Sequence, residues 1–211
     1  MSKWFLLFLL TTGCPVLTTM ETARINRRPF DRDPSHTADI SQINFFGTVM
    51  TDTLNNYSIC PYLIEGWLRW IVFDERLELG VNCGTSGIGG ASKLLIIKRP
   101  VYVALRGGIS GLPWIFLTNP SGGLYSDLIM SMDLGMDELY WGGKIIYWVR
   151  SPNPKSQERF LAGGGFLGFR VKKMILEAGC YRVLKTGIGF NPWGVEGYIP
   201  VLGIGFITGA S

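Results

Sequence analysis

No run of 18 or more apolar residues occurs in this chain, so a membrane-spanning helix is excluded. Histidine is almost missing: the single copy, His36, precedes every patterned segment, and residues 43–211 hold none. That region therefore has no imidazole to serve as general base, and an enzyme is not expected. Charge is sparse at 17%, the net charge is a modest +4, and no basic cluster or basic–aromatic interleaving is present. These features argue against nucleic-acid binding. Cysteine–histidine spacing of the metal-binding kind is lacking as well, so neither metal nor cofactor is expected. What remains is 47% hydrophobic content with 28 glycines, too apolar for a disordered chain and too glycine-rich for a helical one.

The informative signal is a period of two. Along Leu77-Glu78-Leu79-Gly80-Val81-Asn82-Cys83-Gly84 the odd positions are apolar and the even ones polar or glycine. In a strand alternate side chains point to opposite faces, giving this segment one oily and one wet face. The same pattern predicts strands over Ile43–Met50, Tyr62–Phe73, Leu77–Gly84, Ile88–Ile97, Val101–Ser110, Leu124–Leu134, Leu139–Arg150, Arg159–Arg170, Met174–Val183 and Val195–Ile207. Most have roughly 8–12 residues, the length a tilted strand needs to cross a hydrocarbon layer. The faces of Ile88–Ile97 and Val195–Ile207 are ambiguous in phase. Tight links (74–76, 98–100, 135–137, 171–173) alternate with longer ones at 51–61, 112–122, 151–158 and 184–194, with Thr85–Gly87 the exception. Short turns on one rim and long loops on the other are the mark of an up-and-down barrel set in a membrane. The expected fold is thus an all-β, antiparallel transmembrane barrel of about ten strands, eight being possible, with its apolar face outward.

Met1-Ser2-Lys3 followed by Trp4-Phe5-Leu6-Leu7-Phe8-Leu9-Leu10 has the layout of a secretory signal, one positive charge and then a short apolar core. Leu10-Thr11-Thr12-Gly13-Cys14 resembles a bacterial lipobox, in which the cysteine is acylated. The expected organisation is a lipoprotein-type signal peptide at 1–13, a lipidated Cys14, a periplasmic tether at 14–42 and a barrel at 43–211. Cys83 and Cys180 fall on the oily parity of their strands and need no disulfide partner. If the turn at Asp74–Arg76 sets the register, Cys83 lies opposite a residue near Trp67, too far from Cys60 to bridge it.

Residues 43–211 together with the lipobox resemble small bacterial outer-membrane β-barrels, specifically barrel lipoproteins. The strings that carry the resemblance are Asp74-Glu75-Arg76-Leu77-Glu78-Leu79-Gly80-Val81 and Val171-Lys172-Lys173-Met174-Ile175-Leu176-Glu177-Ala178-Gly179. Each joins a strand end, a charged turn and an alternating strand with glycine. The resemblance implies a bacterial outer-membrane location, with the tether in the periplasm, lipid as the chief partner and a monomeric state.

Inside such a barrel the sequence sets Glu65, Arg69, Glu78, Lys93, Arg106, Asp127, Asp133, Lys144 and Glu177. Opposite charges in a narrow lumen are best satisfied by pairing. The readings open at this point are a polar filling that rigidifies the wall, a narrow path lined by charge, and a histidine-free reaction centre. Asp127 and Asp133 lie six residues apart on one strand, about 20 Å by the strand rise, too far to share a substrate atom. Gly163-Gly164-Gly165 with Gly168, and Gly84 with Gly87, Gly89 and Gly90, superficially look like phosphate loops. No helix pattern or Gly-Lys-Ser/Thr follows either cluster, so glycine is read as letting strands bend or making room for bulky inward neighbours. Trp70, Phe73, Trp141, Tyr147, Trp148 and Phe169 are expected in an interfacial girdle. The expected role is structural or scaffolding, or that of a restricted pore, with a small solute or a surface protein as possible partners. The alternative is a soluble lipocalin-like barrel, which would hold an apolar ligand against an apolar interior.

Overall fold

The computed structural model describes residues 20, 22–25, 40–51, 57–73, 76–84, 87–111, 121–135, 137–153, 156–186 and 198–207. Ten antiparallel strands close on themselves: β1 (Ile40–Thr51), β2 (Tyr57–Val72), β3 (Leu77–Gly84), β4 (Gly87–Ile97), β5 (Tyr102–Ser110), β6 (Ser121–Asp133), β7 (Asp137–Asn153), β8 (Ser156–Val171), β9 (Met174–Thr186) and β10 (Tyr198–Ile207). Each strand pairs with its neighbours in sequence, and β10 returns to β1 through the register Gln42↔Ile207 to Thr48↔Val201. Closure leaves no edge strand with unpaired backbone groups.

The alternation seen in the sequence becomes a radial separation. In β9, Ile175, Glu177 and Tyr181 are buried while Leu176, Ala178 and Cys180 are exposed. Every strand contributes exposed aliphatic or aromatic side chains to the outer surface, among them Phe45, Leu68, Val81, Leu94, Leu105 and Leu128. The two ambiguous strands resolve in the same sense. Lys93 and Leu95 of β4 and Ile199, Val201 and Ile207 of β10 face inward, and Ile88, Leu94, Leu202 and Phe206 face outward. The apolar face lies outside, the reverse of the lipocalin-like arrangement.

Register fixes the cysteines. Cys83 stands opposite Gly66, one position from the expected Trp67, and Cys83 and Cys180 are free and exposed. One expected loop, 151–158, is instead the tip of a long hairpin, in which β7 and β8 run on until Asn153 pairs with Ser156. Pro152 and Pro154 make that stretch read as a loop. The ladder shifts register between Arg150 and Asn153, and such an irregularity tolerates a proline.

Candidate functional site: an ionic belt and an inserted segment

Big inward side chains need room in a narrow cylinder, and the neighbouring strand supplies it. Tyr125 stands directly opposite Gly108, Trp148 opposite Gly123, Tyr140 opposite Gly168, Phe166 opposite Gly142 and Tyr181 opposite Gly164. A Cβ at Gly168 would run into the Tyr140 ring, and one at Gly108 into the Tyr125 ring. Of the glycines that look like phosphate loops, Gly164 and Gly168 are thus seats for aromatic rings, in line with the space-making role read from the sequence. Trp148 is a correction. It is 3% exposed and packs in the interior, because Tyr147 beside it points outward and a strand cannot send consecutive side chains to one face. Trp70, Trp141 and Phe169 do lie on the outward parity, half-buried, with Phe73 and Tyr147 exposed.

Between two apolar layers runs a belt of charge. Glu78 of β3 faces Lys93 of β4, which faces Arg106 of β5, then Asp127 of β6, then Lys144 of β7, each directly across from the last. All five are buried. Glu78 is the second residue of its strand from the short-turn rim and Lys144 the eighth of its own, so the belt climbs about 20 Å along the tilted wall. The acids sit where two cations would otherwise meet. Asp127 pairs with Arg106 (Nε to Oδ2 2.6 Å) and with Lys144 (3.6 Å). Glu78 joins Lys93 at 3.2 Å and Arg69 at 3.6 Å. The adjacent cations Lys93 and Arg106 are further relieved by ring faces, since the Arg106 guanidinium lies 5.3 Å from the Tyr125 centroid and 5.9 Å from that of Trp67. Glu65 accepts from Trp67 Nε1 at 2.7 Å and from Asn82 Nδ2 at 3.0 Å.

Eight of the nine charged residues assigned to the lumen are therefore buried in it. Asp133 is the exception. It shares the inward parity of Asp127 but ends its strand at the rim, 39% exposed, and pairs with Arg24 at 2.9 Å. The two aspartates are not brought together, and the carboxylate of Asp127 faces cations on both neighbouring strands. Among the described residues no three histidine, cysteine or carboxylate side chains form a metal-binding group. Cys14 and His36 lie outside the described residues.

Part of the segment expected to be a tether lies inside the barrel instead. Met20, Thr22, Ala23 and Ile25 are buried, and the three apolar ones pack within the barrel with Leu95, Ala104, Ile129, Tyr140, Phe166, Ile175 and Ile207. The Met20 amide donates to Glu177 Oε2 at 2.5 Å, Gln42 Nε2 donates to the Met20 carbonyl at 2.8 Å, and Lys93 Nζ donates to the Thr22 carbonyl at 3.3 Å. Arg24 bridges to Asp133 and lies 5.7 Å from the Tyr102 ring centroid. This part of the expected tether is an inserted segment filling the short-turn mouth. Three apolar residues without a period gave no sign of burial, and their partners are far away in the sequence.

Glu138 also escaped the sequence reading. It is buried, accepts from Ser131 Oγ at 2.6 Å and lies 3.9 Å from Arg170. Starting β7 at Leu139 left it in a turn, although it shares parity with Tyr140 and Lys144.

No protein-family model matches the sequence, and no curated protein matches it significantly. Among solved structures the chain is similar to the N-terminal β-barrel domain of Pseudomonas aeruginosa OprF, at 14% identity and a TM-score of 0.30, over 81% of this chain and 98% of that one. It is also similar to Ail, the attachment invasion locus protein of Yersinia pestis, at 10% identity and a TM-score of 0.29, over 80% and 97% of the two chains.

Proposed function

We propose that this chain is a bacterial outer-membrane barrel lipoprotein, tethered through Cys14, whose filled interior makes it a structural or scaffolding element. The observation that carries this reading is the radial inversion: exposed aliphatic and aromatic side chains from every strand on the outside, around a buried belt of paired charges. A soluble protein seldom exposes apolar surface of that extent, whereas hydrocarbon demands it of a barrel wall. The charges are paired with one another, which favours rigidity over catalysis, and the role is not enzymatic.

The decisive test is Leu128→Arg in the middle of β6, where the leucine is 44% exposed. In a bilayer this change should cost about 2–4 kcal/mol, falling to about 0–1 kcal/mol for Leu134→Arg at the rim. In a soluble barrel both would stay within roughly 0.5 kcal/mol, as surface changes do, and that equality would refute the membrane reading. Cys14→Ser should abolish incorporation of labelled fatty acid such as palmitate; labelling that persists removes the lipid anchor from the proposal. Planar-bilayer recordings divide the two roles, since a scaffold passes no measurable current and a restricted pore passes a small, steady one.

A further inference from the structure

We propose that the short-turn mouth of the barrel is a peptide-binding site, occupied in the resting protein by the chain's own Met20, Thr22, Ala23, Arg24 and Ile25 and able to exchange that occupant for a short peptide presenting a small residue followed by arginine. The contacts have the character of ligand recognition. Three of the wall's bonds to the segment go to its main chain: Glu177 to the Met20 amide, Gln42 to the Met20 carbonyl and Lys93 to the Thr22 carbonyl. Main-chain bonds hold any sequence, so selectivity falls to the side chains. Ala23 is wholly buried in the short-turn cluster, where a much larger side chain would have to displace its neighbours, while Arg24 meets Asp133 and the Tyr102 ring at the rim. Met20 adopts a left-handed backbone with φ of 42°, a conformation that a methionine keeps only where its surroundings hold it. Here both its amide and its carbonyl are held. The segment precedes β1, and its described residues pair with no strand of the wall, so the ladder β1–β10 closes without their backbone.

The experiment uses the full chain carrying Cys14→Ser, so that no acyl group retains the N-terminal piece, with a protease site placed between residues 29 and 38. The folded protein is cut and passed over a sizing column. The piece containing residues 20–25 should remain with the barrel. About a hundredfold molar excess of a synthetic peptide of residues 18–27 should then displace nearly all of it by mass action. The same peptide with Ala23→Trp should displace none, and one with Arg24→Glu should need several-fold more. Loss of the piece on cutting overturns the site, because the segment is then held only by its covalent link. Retention that no concentration of peptide reverses overturns exchange, and equal displacement by the Ala23→Trp peptide overturns the selectivity. The readout is the same in detergent or in plain buffer, so it stands apart from the outcome of the membrane test.

Discussion

The two apolar layers inside this barrel are built in different ways. The layer toward the long-loop rim, with Trp67, Tyr125, Ile146, Trp148, Ala162, Tyr181, Ile199 and Val201, draws every member from the wall. The layer toward the short-turn rim combines wall residues with three guests, Met20, Ala23 and Ile25. A self-contained layer obeys the strand period and is legible one strand at a time. A layer completed by a guest is not, because the guest has no period to follow.

The largest expected effect comes from the charges that separate the layers. Asp127→Ala leaves Arg106 and Lys144 buried without their shared counter-charge and should cost about 3–5 kcal/mol, read as a drop in the urea midpoint of the barrel in detergent or vesicles. Replacing all three charges by apolar residues of similar volume should recover most of that loss; no recovery would mean that the belt does more than neutralise itself.

Next come the glycine seats, where the two layers part company. Gly123→Ala in the wall-only layer sets a methyl against the Tyr147 carbonyl and the Trp148 backbone, which cannot yield, and should cost toward the upper end of about 1–3 kcal/mol. Gly168→Ala meets the hydroxyl end of the Tyr140 ring first, a side chain rather than backbone, so its cost should be smaller. Replacing residues 20–25 by a glycine–serine linker should shrink the Gly168→Ala cost further, because Tyr140 gains space to move, and leave the Gly123→Ala cost unchanged. Equal costs in both backgrounds would erase the distinction between the layers. The smallest effect belongs to the guest's outer contact. Arg24 and Asp133 are 41% and 39% exposed, and Arg24→Ala should cost only about 0.2–1 kcal/mol, declining further in high salt.

How far the sequence could be read follows the same division. Alternation located every strand and put Glu65, Arg69, Glu78, Lys93, Arg106, Asp127, Lys144 and Glu177 inside, since parity is a local property. It lost Glu138 to a strand start placed two residues late, and it mistook the β7–β8 tip for a loop because prolines look like punctuation. It placed Tyr147 and Trp148 together in the outer girdle, where the strand period permits only one. The burial of Met20, Thr22, Ala23 and Ile25 lay beyond it for a different reason. Met20 meets Glu177 across 157 positions of chain, and no short window spans that distance.

The seam between β1 and β10 has a consequence for how the molecule is made. Gln42 faces Ile207 across that seam, so the cylinder stays ajar until the final strand has emerged and docked. Until then the leading stretch has no finished wall to receive it. Met20, Ala23 and Ile25 can take their final packing against Ile207 only once that seam has closed.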